Sequence, residues 1–196
     1  DKNGNRTDWF CTKGDGGLTG KNKCQYDENG KKTEEIIYNA DGGLRFKYKY
    51  KYNEVGNETE LACYKPNGVL DWKSKSQYDK NGNKTELAEY NVDGELIFKY
   101  KYQYDEDGNQ IEWATLRPDG ELINKYKCLY DENGNRTELA RYSSDLDLAF
   151  KYKYQYDEDG NQSECATLNS DNKTILKIKF QYDENGNKTQ EIILNK

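Results

Sequence analysis

The sequence predicts an all-β protein, an elongated antiparallel β-meander or solenoid-like array of 26-residue two-strand repeats in a sheet that coils or spirals. Three observations carry this. An anchor tyrosine recurs at Tyr26, Tyr52, Tyr78, Tyr104, Tyr130, Tyr156 and Tyr182, each step being 26 residues with no insertion. The run into each anchor alternates, as in Phe98, Tyr100, Tyr102 and Tyr104 against Lys99, Lys101 and Gln103. Period two with aromatic enrichment is a strand signal, and a helix would smear those tyrosines around every face. Finally, Asn-Gly or Asp-Gly pairs punctuate the runs, and glycine supplies the left-handed conformation that a tight hairpin needs.

With the anchor as position 0, positions 1–5 read D-E-N-G-N or close to it. Turns of this kind fall at Asn29-Gly30, Asn81-Gly82, Asp107-Gly108, Asn133-Gly134, Asp159-Gly160 and Asn185-Gly186. Positions 6–13 form the first strand and positions 18–25 the second. The mid-repeat turn between them carries Asp41-Gly42, Asn67-Gly68, Asp93-Gly94 and Asp119-Gly120. Pro66 and Pro118 bear on turn type. In a two-residue turn they would occupy the last paired strand position and remove a hydrogen bond. In a type I turn followed by a glycine bulge they fall at i+1, where proline is favoured. The proline argument favours the bulge turn.

Turn type sets the faces, because a one-residue slip flips every side chain. The bulge turn puts positions 0, 10, 12, 18, 20, 22 and 24 together. That face would combine the tyrosines, Phe46, Trp72, Phe98 and Phe150 with a small column of Ala62, Ala88, Ala114, Ala140 and Ala166. It would also place Glu34, Glu60, Glu86, Glu112, Glu138 and Glu164 among the tyrosines. The two-residue turn instead sets those acids beside lysines, and Trp9, Leu61, Leu87, Trp113 and Leu139 against the tyrosines. Both registers stay open. Lysines at positions 21 and 23 mark the wet face in either case.

Some repeats are worn. Gly20, Asn22 and Cys24 weaken the first tyrosine-lysine strand and predict a looser N-terminal end. Leu146 and Asn172 replace turn glycines; asparagine tolerates the left-handed region, leucine does not, so the turn at Leu146 is expected to be reshaped. The chain reads as one array over residues 1–196. It begins inside a turn motif at Asp1 and stops 14 residues into its last repeat, which reads as a window on a longer array.

Composition excludes several functions. Charged residues make up 34% and hydrophobics 33%, a balance that hints at disorder until the 18 tyrosines are counted as buriable area. Net charge is −6 with both signs interleaved, so no basic footprint points to nucleic acid. Histidine is absent, removing the commonest general base and metal ligand. No apolar run approaches the roughly 20 residues that span a membrane. The five cysteines show no C-x-x-C spacing; Cys24 and Cys128 share one repeat position, Cys11 and Cys63 another, too far apart in a flat sheet to pair, so they read as small packing residues. Asp105–Gln110 and Asp157–Gln162 resemble part of an acidic metal loop, but turn chemistry accounts for them. Paired carboxylates recur as ordinary repeat positions. No enzyme, metal or cofactor is expected.

The Tyr-Asp pair with a glycine three residues after the Asp, at Tyr26-Asp27, Tyr78-Asp79, Tyr104-Asp105, Tyr130-Asp131, Tyr156-Asp157 and Tyr182-Asp183, resembles the YD repeats of Rhs-type bacterial surface and toxin proteins. It is similar also to tyrosine- and NG-rich repeats of secreted proteins from Bacteroidetes-like bacteria. Those Rhs repeats usually follow the glycine with Arg-Leu; here Asn-Lys-Thr or Asn-Gln follows. The resemblance implies a spiralling antiparallel sheet, secretion or surface display, and a structural or encapsulating role.

The expected function is therefore a structural or interaction repeat of the bacterial surface or secreted space: a stalk, filament subunit or adhesin scaffold. Its partners would be further copies joined through unpaired strand edges, or a covering chain. Two alternatives stand beside it. One is a carbohydrate-binding module that stacks sugars on an aromatic ladder of Tyr48, Tyr50, Tyr100, Tyr102, Tyr152, Tyr154 and Trp113. The other is part of an Rhs-like toxin-encapsulating shell. Asn5, Asn57, Asn83, Asn135, Asn161 and Asn187 begin N-x-[ST] motifs and are candidate glycosylation acceptors, although Asn also suits a turn exit and Thr a strand.

Overall fold

The computed structural model describes residues 2, 4–12 and 18–195, with side chains omitted for Cys11, Thr12, Leu18 and Asn195. It has fifteen strands in one open antiparallel meander, in sequence order. They are β1 (Asp8–Thr12), β2 (Leu18–Tyr26), β3 (Lys32–Asn39), β4 (Leu44–Tyr52), β5 (Glu58–Tyr64), β6 (Leu70–Tyr78), β7 (Lys84–Tyr90), β8 (Leu96–Tyr104), β9 (Gln110–Leu116), β10 (Leu122–Tyr130), β11 (Arg136–Tyr142), β12 (Leu148–Tyr156), β13 (Gln162–Leu168), β14 (Thr174–Tyr182) and β15 (Lys188–Asn195). The chain divides into two compact units, Asp1–Lys99 and Tyr100–Lys196. Among the described residues of each, a strand packs only against its neighbours in sequence.

Every described turn follows one recipe. At the first, Gly30 N–H donates to Asp27 C=O at 3.1 Å and Asp27 N–H to Lys31 C=O at 2.9 Å, with Gly30 at φ 76°. This is the type I turn with a glycine bulge. Pro66 sits at its i+1 position, between Lys65 C=O and Gly68 N–H (2.9 Å). The turn at Leu146 is not reshaped. Leu146 itself takes φ 64° and its N–H bonds Ser143 C=O at 3.1 Å; Asn172 does the same at φ 60°. The backbone bonds of the recipe hold a leucine where a glycine would sit without strain.

The bulge turn does not, however, carry its register into the strands. One step beyond it, a second one-residue shift occurs: Tyr26 pairs with Lys32 but Gln25 with Glu34, leaving Thr33 extra. The mid-repeat turn repeats the device, pairing Tyr38 with Leu44 and Ile37 with Phe46 around Arg45. Unit two is built alike, with Thr137 and Ala149 as the extra residues. Two single-residue insertions restore parity. The strand bodies therefore follow the pairing of a two-residue turn although the turn itself is the bulged type.

This corrects the expected faces. Positions 10, 12 and 18 leave the tyrosines and join the lysines, since Ala62 faces Lys49 and Lys73, and Lys47 faces Tyr64. The acids at position 8 also lie there, as in Glu34 opposite Lys49. The aromatic face holds positions 20, 22, 24 and 0 with positions 9 and 11 between them: Tyr50 opposite Leu61, Tyr48 opposite Cys63, Tyr126 opposite Trp113, Tyr152 opposite Leu139.

Gly20, read from sequence as a weak point, has a packing reason. A Cβ there would lie 2.6 Å from the carbonyl oxygen of Tyr38, and β2 forms over its nine residues. Residues 13–17, in the expected loose end, lie outside the described residues.

Candidate interaction surfaces

Three chemistries meet in the Tyr-Asp-x-x-Gly motif, and each is spent on the architecture. The aspartate organises the turn. Asp131 Oδ1 accepts from the N–H groups of Asn133 (3.0 Å) and Asn135 (2.8 Å), and Oδ2 from Asn135 Nδ2 (3.2 Å). The Asn135 amide holds the Asp131 carboxyl below its ordinary range, and Asp183 is lowered in the same way by Asn187. The carboxylate of Asp105, inside the sequence that resembled a metal loop, is likewise bonded to Asn109. The N-x-[ST] asparagines take part: Nδ2 of Asn83, Asn161 and Asn187 donates to its turn aspartate, and the backbone N–H of Asn57 to Asn53. Asn5 lies near the first turn, 3.7 Å from where a Cβ on Gly30 would be.

The anchor tyrosine serves the second bulge. Its phenol donates to a backbone carbonyl 20 residues earlier: Tyr26 to Arg6 (3.0 Å), Tyr52 to Lys32 (2.8 Å), Tyr78 to Glu58 (2.7 Å), Tyr130 to Gln110 (3.1 Å), Tyr156 to Arg136 (2.9 Å) and Tyr182 to Gln162 (2.9 Å). At Lys32, Glu58, Arg136 and Gln162 the acceptor is the residue before the extra one. A bulge interrupts the ladder and leaves a carbonyl to satisfy; the next repeat's tyrosine satisfies it. Burial pushes these phenols upward at Tyr26, Tyr52, Tyr130 and Tyr156. The residues before the Tyr-Asp pair and the threonine at position 7 were the available signals: Thr59 and Thr189 donate back to Lys51 and Gln181 across the bulge.

The lysine face is wet but orderly. Lys47, Lys99, Lys125, Lys151 and Lys177 reach Glu34, Glu86, Glu112, Glu138 and Glu164 at 2.6–3.4 Å. Beneath them lie the buried alanines, Ala62 at 2% exposure and Ala140 at 1%. Lysine methylenes from both flanking strands cover this column. Tyr64, Tyr90 and Tyr142 also lie on this face, under the ammonium groups of Lys49, Lys73 and Lys127.

The aromatic face is neither buried nor bare. Tyr48, Tyr50, Tyr100, Tyr102, Tyr152, Tyr154 and Trp113 are all half-exposed. Tyr48 meets Trp72 edge-on at 6.3 Å, and Phe150, Tyr152 and Tyr154 form a run with centroids 5.2 and 6.4 Å apart. Trp113 stacks flat on Tyr126 at 4.6 Å and 8°. What is fully buried on this side is small: Cys63 at 1%, Cys128 at 3% and Cys24 at 5%. Their thiols are free, as is that of Cys165, and burial raises those of Cys24, Cys63 and Cys165. The side chain of Cys11 lies outside those described.

Polar residues break this face in both units. In unit one Glu35 stands where most sister repeats carry Leu or Trp, with Cys165 and Glu191 the other departures, and accepts from Lys32 (2.9 Å), Asn22 (3.0 Å) and Tyr50 (3.1 Å). Lys32 lies over the rings of both Trp9 and Tyr50. In unit two Asn124 replaces an aromatic residue and Arg141 follows Ala140, both beside the Trp113–Tyr126 stack. Asn124 Oδ1 and Arg141 Nε are buried without a hydrogen-bond partner, and the guanidinium lies over Phe150 at 5.7 Å. Neither cluster was singled out from sequence; departure from the repeat at positions 9, 11 and 20 was the available signal. Among the described residues no group of three or more His, Cys, Asp or Glu could hold a metal, and no helix is long and apolar enough to cross a membrane.

No protein-family model matches the chain, and no curated protein matches it. Solved structures do. A TcdB2–TccC3 crystal structure agrees over 96% of this chain at 13% identity and a TM-score of 0.45. The Photorhabdus luminescens Tc holotoxin pore, carrying a TccC3 mutation, agrees over 96% at 11% identity and a TM-score of 0.22. This chain spans only 14% and 15% of the lengths of those two chains. A porin-like protein from Bacteroides uniformis agrees over 89% of this chain and 86% of its own, at 12% identity and a TM-score of 0.35.

Proposed function

We propose that the chain is a structural repeat protein of the bacterial surface or secreted space, and that it extends by adding strands at its edges. The observation that carries this is what the two edge strands expose. Phe10 on β1 is 60% exposed, and Ile193 and Leu194 on β15 are 58% and 44% exposed. Interior residues at the matching positions are buried: Ala62 (2%) for Phe10, Cys63 (1%) for Ile193 and Leu168 (7%) for Leu194. A further repeat, from the same chain or another copy, would cover those side chains and pair the open backbone groups. The motif residues support the same reading, because each of them bonds the turn or the neighbouring repeat.

Light scattering over a concentration series, with electron microscopy of the concentrated sample, tests this. The expected result is mass growing with concentration, suppressed in an Ile193→Lys, Phe10→Lys variant that charges both edges. A monomer at every concentration overturns it.

A second reading is favoured by the aromatic face. Half-exposed rings, among them Trp113 stacked flat on Tyr126 at 4.6 Å, make an aromatic platform of the kind on which sugar rings stack. Neutral oligosaccharides should then bind, and Trp113→Ala should abolish it without unfolding. A glycan array without hits removes this reading.

A further inference from the structure

We propose that the lysine face binds a sparsely charged linear polyanion, an acidic polysaccharide, through the lysines at position 23. The two lysines of each second strand have different fates. At position 21, Lys47, Lys99, Lys125, Lys151 and Lys177 are each held by a glutamate, as with Lys151, 18% exposed and 3.0 Å from Glu138. Those at position 23 point outward. In unit two, Lys127, Lys153 and Lys179 are exposed; in unit one, Lys23, Lys49 and Lys75 are. Lys127, 54% exposed, reaches Glu112 only at 3.9 Å.

The face is cationic although the chain as a whole carries −6. Strands β9–β14 set Lys125, Lys127, Lys151, Lys153, Lys177 and Lys179 against Glu112, Glu138 and Glu164, a surplus of one positive charge per repeat. Acidic residues outside that face sit largely in the turns, at Asp131, Glu132, Asp157 and Glu158 for example. The pairing gives the row its geometry. Lys127 lies opposite Ala140, which lies opposite Lys151, so Lys153 is two residues further along β12. Strand spacing and rise then place successive position-23 lysines about 12 Å apart on an oblique line.

Charge density selects the occupant. Duplex DNA carries one charge per about 1.7 Å of axis. Interleaved glutamates and acidic turns repel a polymer of that density. A polysaccharide with isolated carboxylates or sulfates matches one spare cation per repeat. Each contact is weak and screened by salt, so affinity comes from repetition along the row. This site is separate from the edges and from the aromatic face.

Hyaluronan is the probe, with dextran and single-stranded DNA as comparisons, at low and physiological salt. Hyaluronan should bind at low salt and weaken as salt rises, with dextran inert and DNA weaker. Lys127→Gln, Lys153→Gln and Lys179→Gln together should cost at least ~10-fold, because the contacts act jointly. Lys80→Gln, Arg117→Gln and Lys173→Gln remove the same charge from turns and should cost less than about twofold. Circular dichroism checks folding. If the first set unfolds, the Lys153→Gln, Lys179→Gln pair and the charge-preserving triple arginine variant take its place: the pair loses affinity, the arginines retain it. Absence of hyaluronan binding at low salt, equal losses from row and turn variants, or preferred binding of DNA each overturns the proposal.

Discussion

The two faces of this sheet bury opposite kinds of side chain. On the lysine face the buried residues are alanines and Leu168, covered by long charged side chains whose heads stay wet. On the aromatic face cysteines are buried, among rings that cover one another and remain half-open. Within each unit the described strands touch only their sequence neighbours, and no second layer there hides a large residue. The deepest burial then falls to small side chains between long ones, Leu168 being the one large residue buried among those described, and the aromatics contribute through partial burial.

The sharpest break of this contrast is steric. Ala140, 1% exposed, lies opposite Lys127 and Lys151 with no room to grow. Ala140→Leu should destabilise by about 1–3 kcal/mol, the range for overpacking. Tyr152→Leu on the half-open face should cost less. Urea denaturation of both variants checks this, and equal losses would mean that the faces are packed alike.

The sorting into faces depends on the turns, and one turn carries an avoidable strain. Leu146 holds φ 64° with a 58% exposed side chain. Leu146→Gly should raise stability by about 1 kcal/mol, since leucine pays roughly 1–2 kcal/mol in the left-handed region and glycine returns part of it as unfolded-chain entropy. The same substitution at Leu139, in mid-strand opposite Tyr152, should do the reverse. A fall in midpoint for Leu146→Gly would show that the leucine packs usefully despite its exposure.

How far the sequence reveals these faces depends on what sets them. Strand positions, strand order and the turn type were all readable, the last from Pro66 and Pro118. The facing was not, because a compensating bulge at Thr33 or Arg45 has no glycine to mark it. Its traces are a tyrosine one repeat later and a threonine beside it, both of which also read as ordinary strand formers. The aromatic ladder was legible as residues, but its half-open state depends on the missing second layer. The orphans at Asn124 and Arg141 depart from the repeat in sequence, and only the pairing puts them beside Trp113.

Tyrosine hydroxyls provide a finer test. Tyr156 donates to Arg136 C=O at 2.9 Å, whereas the ring of Tyr152 packs against Phe150 and Tyr154. Tyr156→Phe should cost about 1 kcal/mol, the net worth of one hydrogen bond; Tyr152→Phe should cost little. The phenols also set an alkaline limit. Their folded pKa values are raised, so their contribution is complete below the unfolded value near 10 and is lost as pH climbs through the folded ones. The turn carboxylates of Asp131 and Asp183 set the acid limit with the opposite sign. Their folded values are depressed, so stability is complete above roughly pH 4 and falls as pH drops through them. Melting temperature should be flat between the two windows, and Tyr→Phe at the anchors should soften only the alkaline edge.

The smallest effect separates the two lysines of one strand. Lys151 is paired with Glu138 at 3.0 Å with both side chains under 20% exposed, while Lys153 is exposed on the same face. Lys151→Gln should lose about 0.2–1 kcal/mol, the range for such pairs, and the loss should shrink as salt rises. Lys153→Gln should leave unfolding within error at every salt concentration and change only the binding of a polyanion. If Lys153→Gln destabilises the chain as much as Lys151→Gln, both lysines serve the fold and the exposed row has no charge left over for a ligand.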